Sequence, residues 1–454
     1  MYTNTFDVAL GSVAGNRLTR RRALAGAGLV AALPLAGNPA AIAAQEATPM
    51  TTPAAASATL TELAIADPEF DKQFLRALDA IFSGGADIGE CFMTARRIVP
   101  GDPASWLAEW QATGDRVHAA AEQSLAAGHE VSAREGFLRA VTYYRTSSIF
   151  LFRPPLDPAF VDAWERQREA FQRAAALSEW MIETVQIPYE ETTLEAYFAT
   201  PGGDGPFRTL VMVDGYDGTK EEMFFAGVAA LRRGYAVLLV DGPGQGGALV
   251  EQGLVFRPDW EAVVTPQIDW LLSRPEVDPE RIALMGRSFG GYLAPRAATG
   301  EHRIAALVAD AAQYAPGESA RLMLPEELRG LLDSGDLAGL NAALEPAIAQ
   351  SPSLRFSLER GMLLHGVSTP AEYVQAFASY TLDGLVDRIA CPTLICSAEN
   401  DNWVASGRKL HDAIVAPKDY ILFTNAEGAG QHDEAGAASL FAQRVFDWLD
   451  ETLA

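Results

Sequence analysis

The sequence predicts an α/β protein: a mostly parallel sheet with helices on both faces, preceded by a helical domain and interrupted by a helical cap. Three observations predict it. Short, wholly apolar runs recur from Thr209 onward and are separated by helical stretches. Between Thr59 and Glu179 apolar residues fall instead at three- and four-residue spacings, the period of a helix. From Tyr314 to about Asp387 the strand-like runs stop and helical sequence takes their place.

The 454 residues exceed one compact core and suit two domains with an appendage. Acidic residues outnumber basic ones 59 to 35, and a net charge of −24 repels a phosphate backbone, so nucleic acid is excluded as a partner. The expected partners are a small-molecule substrate and, left open, a second copy in a homodimer. Cys91, Cys391 and Cys396 are too few for a disulfide framework, although Cys91 could pair with one of the others.

Residues 1–43 read as a twin-arginine-type signal peptide. Thr19-Arg20-Arg21-Arg22-Ala23-Leu24 is followed by an apolar, Ala- and Gly-rich run to Gly37, with a cleavage site after Ala43. A membrane anchor fits less well, because the run falls short of the ~20 residues a span needs and contains Pro34. Export across the cytoplasmic membrane is expected, with no stable membrane insertion once the signal is removed. Residues 44–58, rich in Ala, Thr and Pro, read as a flexible linker.

Residues 59–180 form the helical domain. Phe74, Leu75, Leu78 and Ile81 lie at helical spacing, as do Phe137, Leu138 and Val141, and Gly84-Gly85, Pro100 to Pro103 and Pro154-Pro155 mark turns. Residues 181–454 form the alternating domain. Ile182 to Ile187 and Leu194 to Ala199 bracket a turn and predict an opening antiparallel hairpin. Thr209 to Val213, Ala236 to Val240, Ile282 to Met285, Ala305 to Val308, Thr393 to Cys396 and Tyr420 to Phe423 then read as buried parallel strands. The helical segment at about 314–387 is placed as a cap over the carboxyl edge of the sheet, where such folds hold ligands.

Gly286-Arg287-Ser288-Phe289-Gly290 lies between a strand and a helix, the G-x-S-x-G turn of the α/β-hydrolase fold. A sharp turn must lift the serine oxygen clear of the sheet, and glycines two positions to either side remove the collisions. Ser288 is therefore the candidate nucleophile. A hydroxyl needs a base, and the base needs an acid to fix its tautomer. The acidic loop after Thr393 to Cys396 offers Asp401, with Glu399 as rival, and the glycine-rich loop before the last helix offers His432. His118, His129, His302, His365 and His411 read as surface or packing residues.

The oxyanion donors are expected from the backbone N–H of Phe289 and of Tyr216, with Asp217 next in line for the second. Thr219 and Glu222 fit a capping box at the start of a helix. Asp241-Gly242-Pro243-Gly244-Gln245-Gly246 suggests a phosphate loop, but no Lys-Ser/Thr follows, which argues against a Walker site. No zinc-binding spacing occurs, so neither metal nor cofactor is expected.

With these residues assembled, residues 70–454 resemble the two-domain α/β-hydrolases grouped with the fermentation-respiration switch esterase, dihydroxypseudooxynicotine hydrolase and the fungal polyketide-shortening hydrolases. The resemblance rests on Gly84 to Glu90, Arg139 to Arg145, Asp214 to Glu222, Asp241 to Gly246, Gly286 to Gly291 and Gly428 to His432. It implies that the helical domain acts as a lid closing the pocket. It also implies that the substrate class includes carbon–carbon bonds beside a ketone, and that a cap acid, here Glu318, joins the pocket. Tyr143, Tyr144 and Arg145 could line its roof.

The leading expectation is a serine hydrolase acting on an ester or on a carbon–carbon bond next to a ketone. A dipeptidyl or acylaminoacyl peptidase is the enzymatic alternative, and a hydrolase-fold binding protein without activity is the alternative of another class. Such peptidases usually carry a β-propeller, which the helical period of the first domain opposes.

Overall fold

The computed structural model describes residue 60 and residues 63–454. The expected leader and linker lie outside the described residues.

Five helices build the first domain: α1 (Pro68–Asp79), α2 (Ile88–Ala95), α3 (Pro103–Ala126), α4 (Glu130–Ser148) and α5 (Pro158–Ala176). Three of them begin Asp-Pro. Asp67, Asp102 and Asp157 each accept N–H bonds from the first turn, while the proline behind each supplies a helical φ and lacks the N–H that would go unpaired. Phe70, Trp106, Trp110 and Tyr143 pack ring edge against ring face or tilted through this domain, and Phe171 of α5 carries the packing on to Tyr197 and Phe224 of the second. One continuous apolar core therefore spans both.

The second domain is an eight-stranded sheet in the order β1-β2-β4-β3-β5-β6-β7-β8. β1 (Met181–Tyr189) and β2 (Thr192–Thr200) are the antiparallel hairpin, and β2 meets β4 antiparallel. β3 (Phe207–Val213), β4 (Ala236–Val240), β5 (Val277–Gly286), β6 (Ala306–Ala309), β7 (Thr393–Ala398) and β8 (Lys418–Phe423) run parallel to one another. β4 is buried along its whole length, the mark of a strand covered on both faces. α6 (Lys220–Leu231), α7 (Gly246–Val250), α8 (Glu261–Leu272) and α9 (Gly290–Ala298) follow β3, β4 and β5.

Five helices then form the cap between β6 and β7: α10 (Pro316–Met323), α11 (Glu326–Ser334), α12 (Leu337–Gln350), α13 (Pro352–His365) and α14 (Pro370–Phe377). They have a small core of their own, built on Leu324, Leu340, Leu344, Leu354 and Leu358. α15 (Val404–Ala413) and α16 (Ala438–Thr452) complete the chain. The three cysteines are free thiols. Among the described residues, no helix is long and apolar enough to cross a membrane.

Candidate active site

The turn between β5 and α9 holds Ser288 at a φ of +56°, a left-handed backbone that costs a non-glycine residue free energy and persists only where its surroundings impose it. The surroundings are tight. A Cβ at Gly286 would lie 1.9 Å from the Gly290 carbonyl oxygen, and one at Gly290 would lie 2.4 Å from that of Val213. Arg287 N–H donates to the Val213 carbonyl at 3.0 Å and Gly290 N–H to the Arg287 carbonyl at 2.7 Å, closing the turn on the end of β3.

Ser288 Oγ lies 2.8 Å from His432 Nε2, and His432 Nδ1 lies 2.5 Å from Asp401 Oδ2. The loops after β5, β7 and β8 thus bring these three sequence-predicted residues together at one edge of the sheet. Glu399 turns away, and its carboxylate accepts the Asn425 N–H at 2.7 Å. The loop after β3 runs beside Ser288: a Cβ at Gly215 would come within 2.6 Å of Ser288 Cβ and 3.0 Å of Phe289 N. Among the described residues, neither Phe289 N–H nor Tyr216 N–H donates to a protein acceptor.

A cavity of about 420 Å³ opens on these groups, walled by Phe82, Phe225, Phe356 and Trp403 and reached by α1 of the helical domain through Leu75 and Arg76. Desolvation opposes the charged form of His432, whose side chain is half-exposed, but Asp433, Asp401 and Asp310 together outweigh it and push the imidazole above its ordinary value. Burial also pushes Asp310 up to about 7, and Asp433 adds to the shift. Glu434, buried beside Asp310, is raised well above its ordinary range by burial and then by the charges of Asp310 and Asp433.

Behind Tyr216 the loop is pinned by charge. Asp217 accepts from Arg76 of α1 at 2.7 Å, from Arg145 of α4 at 3.3 Å and from Arg360 of the cap. Burial works against its ionisation, yet the three guanidinium groups prevail and hold the carboxyl below the usual range. Thr219 caps α6 through the Glu222 N–H at 3.3 Å, but the box stays half-made because the Glu222 carboxylate is taken by Arg76 at 2.7 Å and Arg145 at 2.8 Å. The glycine-rich loop after β4 wraps an internal anion, since Asp241 accepts from Lys220 Nζ at 2.9 Å and Gly247 N–H at 2.9 Å.

Other expected residues lie elsewhere. Glu318 is exposed in the first turn of α10, pairs with Arg321 three residues on at 3.3 Å, and does not line the cavity. Arg321 is drawn in turn to Asp333, itself exposed to solvent. Tyr143 and Tyr144 are buried inside the helical domain, bonded to Glu90 at 2.7 Å and Asp115 at 2.9 Å. His118, Glu122 and Glu169 are spaced to hold a cation, but Arg173 already bridges the two glutamates at 2.6 and 3.7 Å.

Two features were not legible in sequence. His365 is a buried packing residue that also bonds: its Nε2 lies 2.5 Å from the Tyr216 hydroxyl, which donates on to Tyr373 at 3.1 Å, and its Nδ1 lies 3.3 Å from the Tyr380 hydroxyl. Burial lowers its pKa to about 3, so it is a neutral link between the cap and the loop after β3. The second is Asp433, directly after His432, whose Oδ1 accepts the Ser288 N–H at 3.0 Å. The run His432-Asp433-Glu434 is visible as an acidic pair, but nothing local says where it points.

The family model for X-Pro dipeptidyl-peptidases of the S15 type matches residues 190–432. Hydrolase LUC6 from Fusarium sp is 32% identical over 84% of this chain and 96% of its own length, and 20-hydroxy-prefusarin hydrolase FUS2 from Gibberella moniliformis is 32% identical over 85% and 96%. Among solved structures, 2,6-dihydroxy-pseudo-oxynicotine hydrolase superposes with a TM-score of 0.65 at 22% identity, covering 83% of this chain and 96% of that one. Similarity that runs through the helical domain, the sheet and the cap alike means that the chain belongs to the α/β-hydrolase family, in the two-domain group that these fungal hydrolases represent.

Proposed function

We propose that the chain is an exported serine hydrolase that cleaves a small carbonyl substrate, an ester or a carbon–carbon bond next to a ketone, through an acyl-enzyme. The observation that carries this reading is the relay from Ser288 Oγ to His432 Nε2 and from His432 Nδ1 to Asp401, at 2.8 and 2.5 Å, beside two N–H groups with no protein acceptor.

Ser288 Oγ attacks the carbonyl carbon while His432 takes its proton, and Asp401 holds the imidazolium in the orientation this requires. The oxyanion rests on the N–H groups of Phe289 and Tyr216, donors worth ~3–4 kcal/mol each in comparable sites. The bond to the leaving group breaks as His432 returns the proton, to oxygen for an ester or to carbon for a ketone enolate. Water, deprotonated by His432, then releases the acid. The cavity, about 420 Å³ with aromatic walls, suits a small organic molecule. The name of the Gibberella moniliformis relative, a 20-hydroxy-prefusarin hydrolase, points the same way.

A second reading, a dipeptidyl-type peptidase, is favoured by the S15 match over residues 190–432. Against it stand the relatives that match the helical domain, sheet and cap together, which are named hydrolases.

A fluorophosphonate should label the purified protein at Ser288, and esters, β-diketones and aminoacyl amides assayed side by side should show which class is turned over. Ser288→Ala is the blank, with an expected loss of ~10³-fold or more. Labelling at another residue, or turnover surviving in Ser288→Ala, would refute the assignment, and turnover of aminoacyl amides alone would favour the peptidase. Replacing both Arg20 and Arg21 by lysine should retain the precursor in the cytoplasm. Undiminished export of that variant would remove the twin-arginine reading.

A further inference from the structure

We propose that Asp433 is a positioning residue of this site, tying the nucleophile's turn to the histidine loop and stabilising the imidazolium from the serine side. The proposal rests on the reading of Ser288 and His432 as nucleophile and base.

Asp433 Oδ1 accepts the Ser288 N–H at 3.0 Å and lies 3.6 Å from His432 Nε2, the nitrogen that faces the serine oxygen. Asp401 reaches the opposite nitrogen, so the ring has a carboxylate on each side. The arrangement is imposed on the backbone. Asp433 holds a φ of +54° and Glu434 one of +53°, and Ser288 across from them sits at +56°. Three consecutive contacts lock the two loops together, since Arg287 Nη2 also donates to the Asp433 carbonyl at 2.6 Å. Left-handed backbone at non-glycine positions clusters where the surroundings over-determine it, and here the turn bearing the nucleophile and the loop bearing the base brace each other.

The charge has a second effect. When Ser288 gives up its proton, positive charge appears on the ring, and a carboxylate at 3.6 Å from Nε2 favours that state. The charged groups around His432 come from every neighbouring element. Asp401 follows β7, Asp310 follows β6 beside the buried Glu434, and Arg287 follows β5. Asp79 ends α1 and accepts the Gly436 N–H at 3.0 Å. Arg287 is the one cation of this set, so neutralising Asp433 must make the imidazole easier to deprotonate.

Two variants separate bracing from charge. Asp433→Asn keeps an oxygen for the Ser288 N–H and tolerates a positive φ, but removes the charge. Asp433→Gly adopts that φ without strain and removes both. The rate of fluorophosphonate labelling is measured against pH, which needs no knowledge of the natural substrate. Asp433→Asn should move the midpoint of the rising limb to lower pH by roughly 1 unit or more and lower its plateau a few-fold, because the imidazolium loses that carboxylate. Asp433→Gly should show the same movement together with a plateau at least ~10-fold lower. A limb that stays in place in Asp433→Asn, or an Asp433→Gly plateau equal to that of the parent, would overturn the proposal. Absence of labelling in the parent protein would instead strike at the nucleophile assignment itself.

Discussion

Arg76 of the first domain and Asp217 of the loop after β3 meet at 2.7 Å across 141 residues of sequence, one residue from the N–H group assigned to the oxyanion. Arg145 and Arg360 close on the same carboxylate, so helical domain, loop after β3 and cap share one buried anion. The ionised carboxyl is favoured over its unfolded counterpart. Its contribution to stability is thus complete at neutral pH and is lost progressively as pH falls below the unfolded carboxyl's pKa toward the lower folded value.

Removing that carboxylate takes the carboxylate partner from Arg360 and leaves Arg76 and the almost fully buried Arg145 to share Glu222 alone. Asp217→Ala should lower the unfolding free energy by roughly 3 kcal/mol or more, the cost of leaving buried charge uncompensated. Urea denaturation followed by fluorescence measures it, and a variant as stable as the parent would mean that the junction stabilises nothing.

The hydroxyl of Tyr216 is bonded to His365 and Tyr373 of the cap, and Gly215 before it packs against Ser288. If the side chain fixes where the backbone N–H of Tyr216 stands, Tyr216→Phe should lower kcat about tenfold and leave KM nearly unchanged, because an oxyanion donor acts in the transition state. Equal falls in substrate affinity and none in kcat would show that the cap network serves binding instead.

Glu434 is fully buried against Asp310, to which it hydrogen-bonds when one of the two carboxyls is protonated, and its pKa is raised. A carboxyl whose folded pKa lies above the unfolded value favours its protonated form in the fold, so the fold loses stability as pH rises from the unfolded pKa toward the folded one. Glu434→Gln escapes that loss. Its melting temperature should exceed the parent's by about 2 °C or more at pH 8, with the gain shrinking toward pH 5, and differential scanning calorimetry at the two pH values decides the matter.

What the amino-acid sequence determined by itself was local in origin. The apolar runs of β3 to β8, the helical period of α1 to α5 and the glycines framing Ser288 each follow from contacts within a few residues. The strand–turn–helix context of Ser288 and the chain order of Asp401 and His432 were readable for the same reason. Only the tertiary structure decided which charges meet. It carried Arg76 to Asp217, turned the Asp433 carboxylate onto Ser288, buried His365 under Tyr216 and left Glu318 in solvent. Periodicity and turn stereochemistry act over a few bonds. The partner of a charge depends instead on how separately formed elements pack, and no local pattern encodes that.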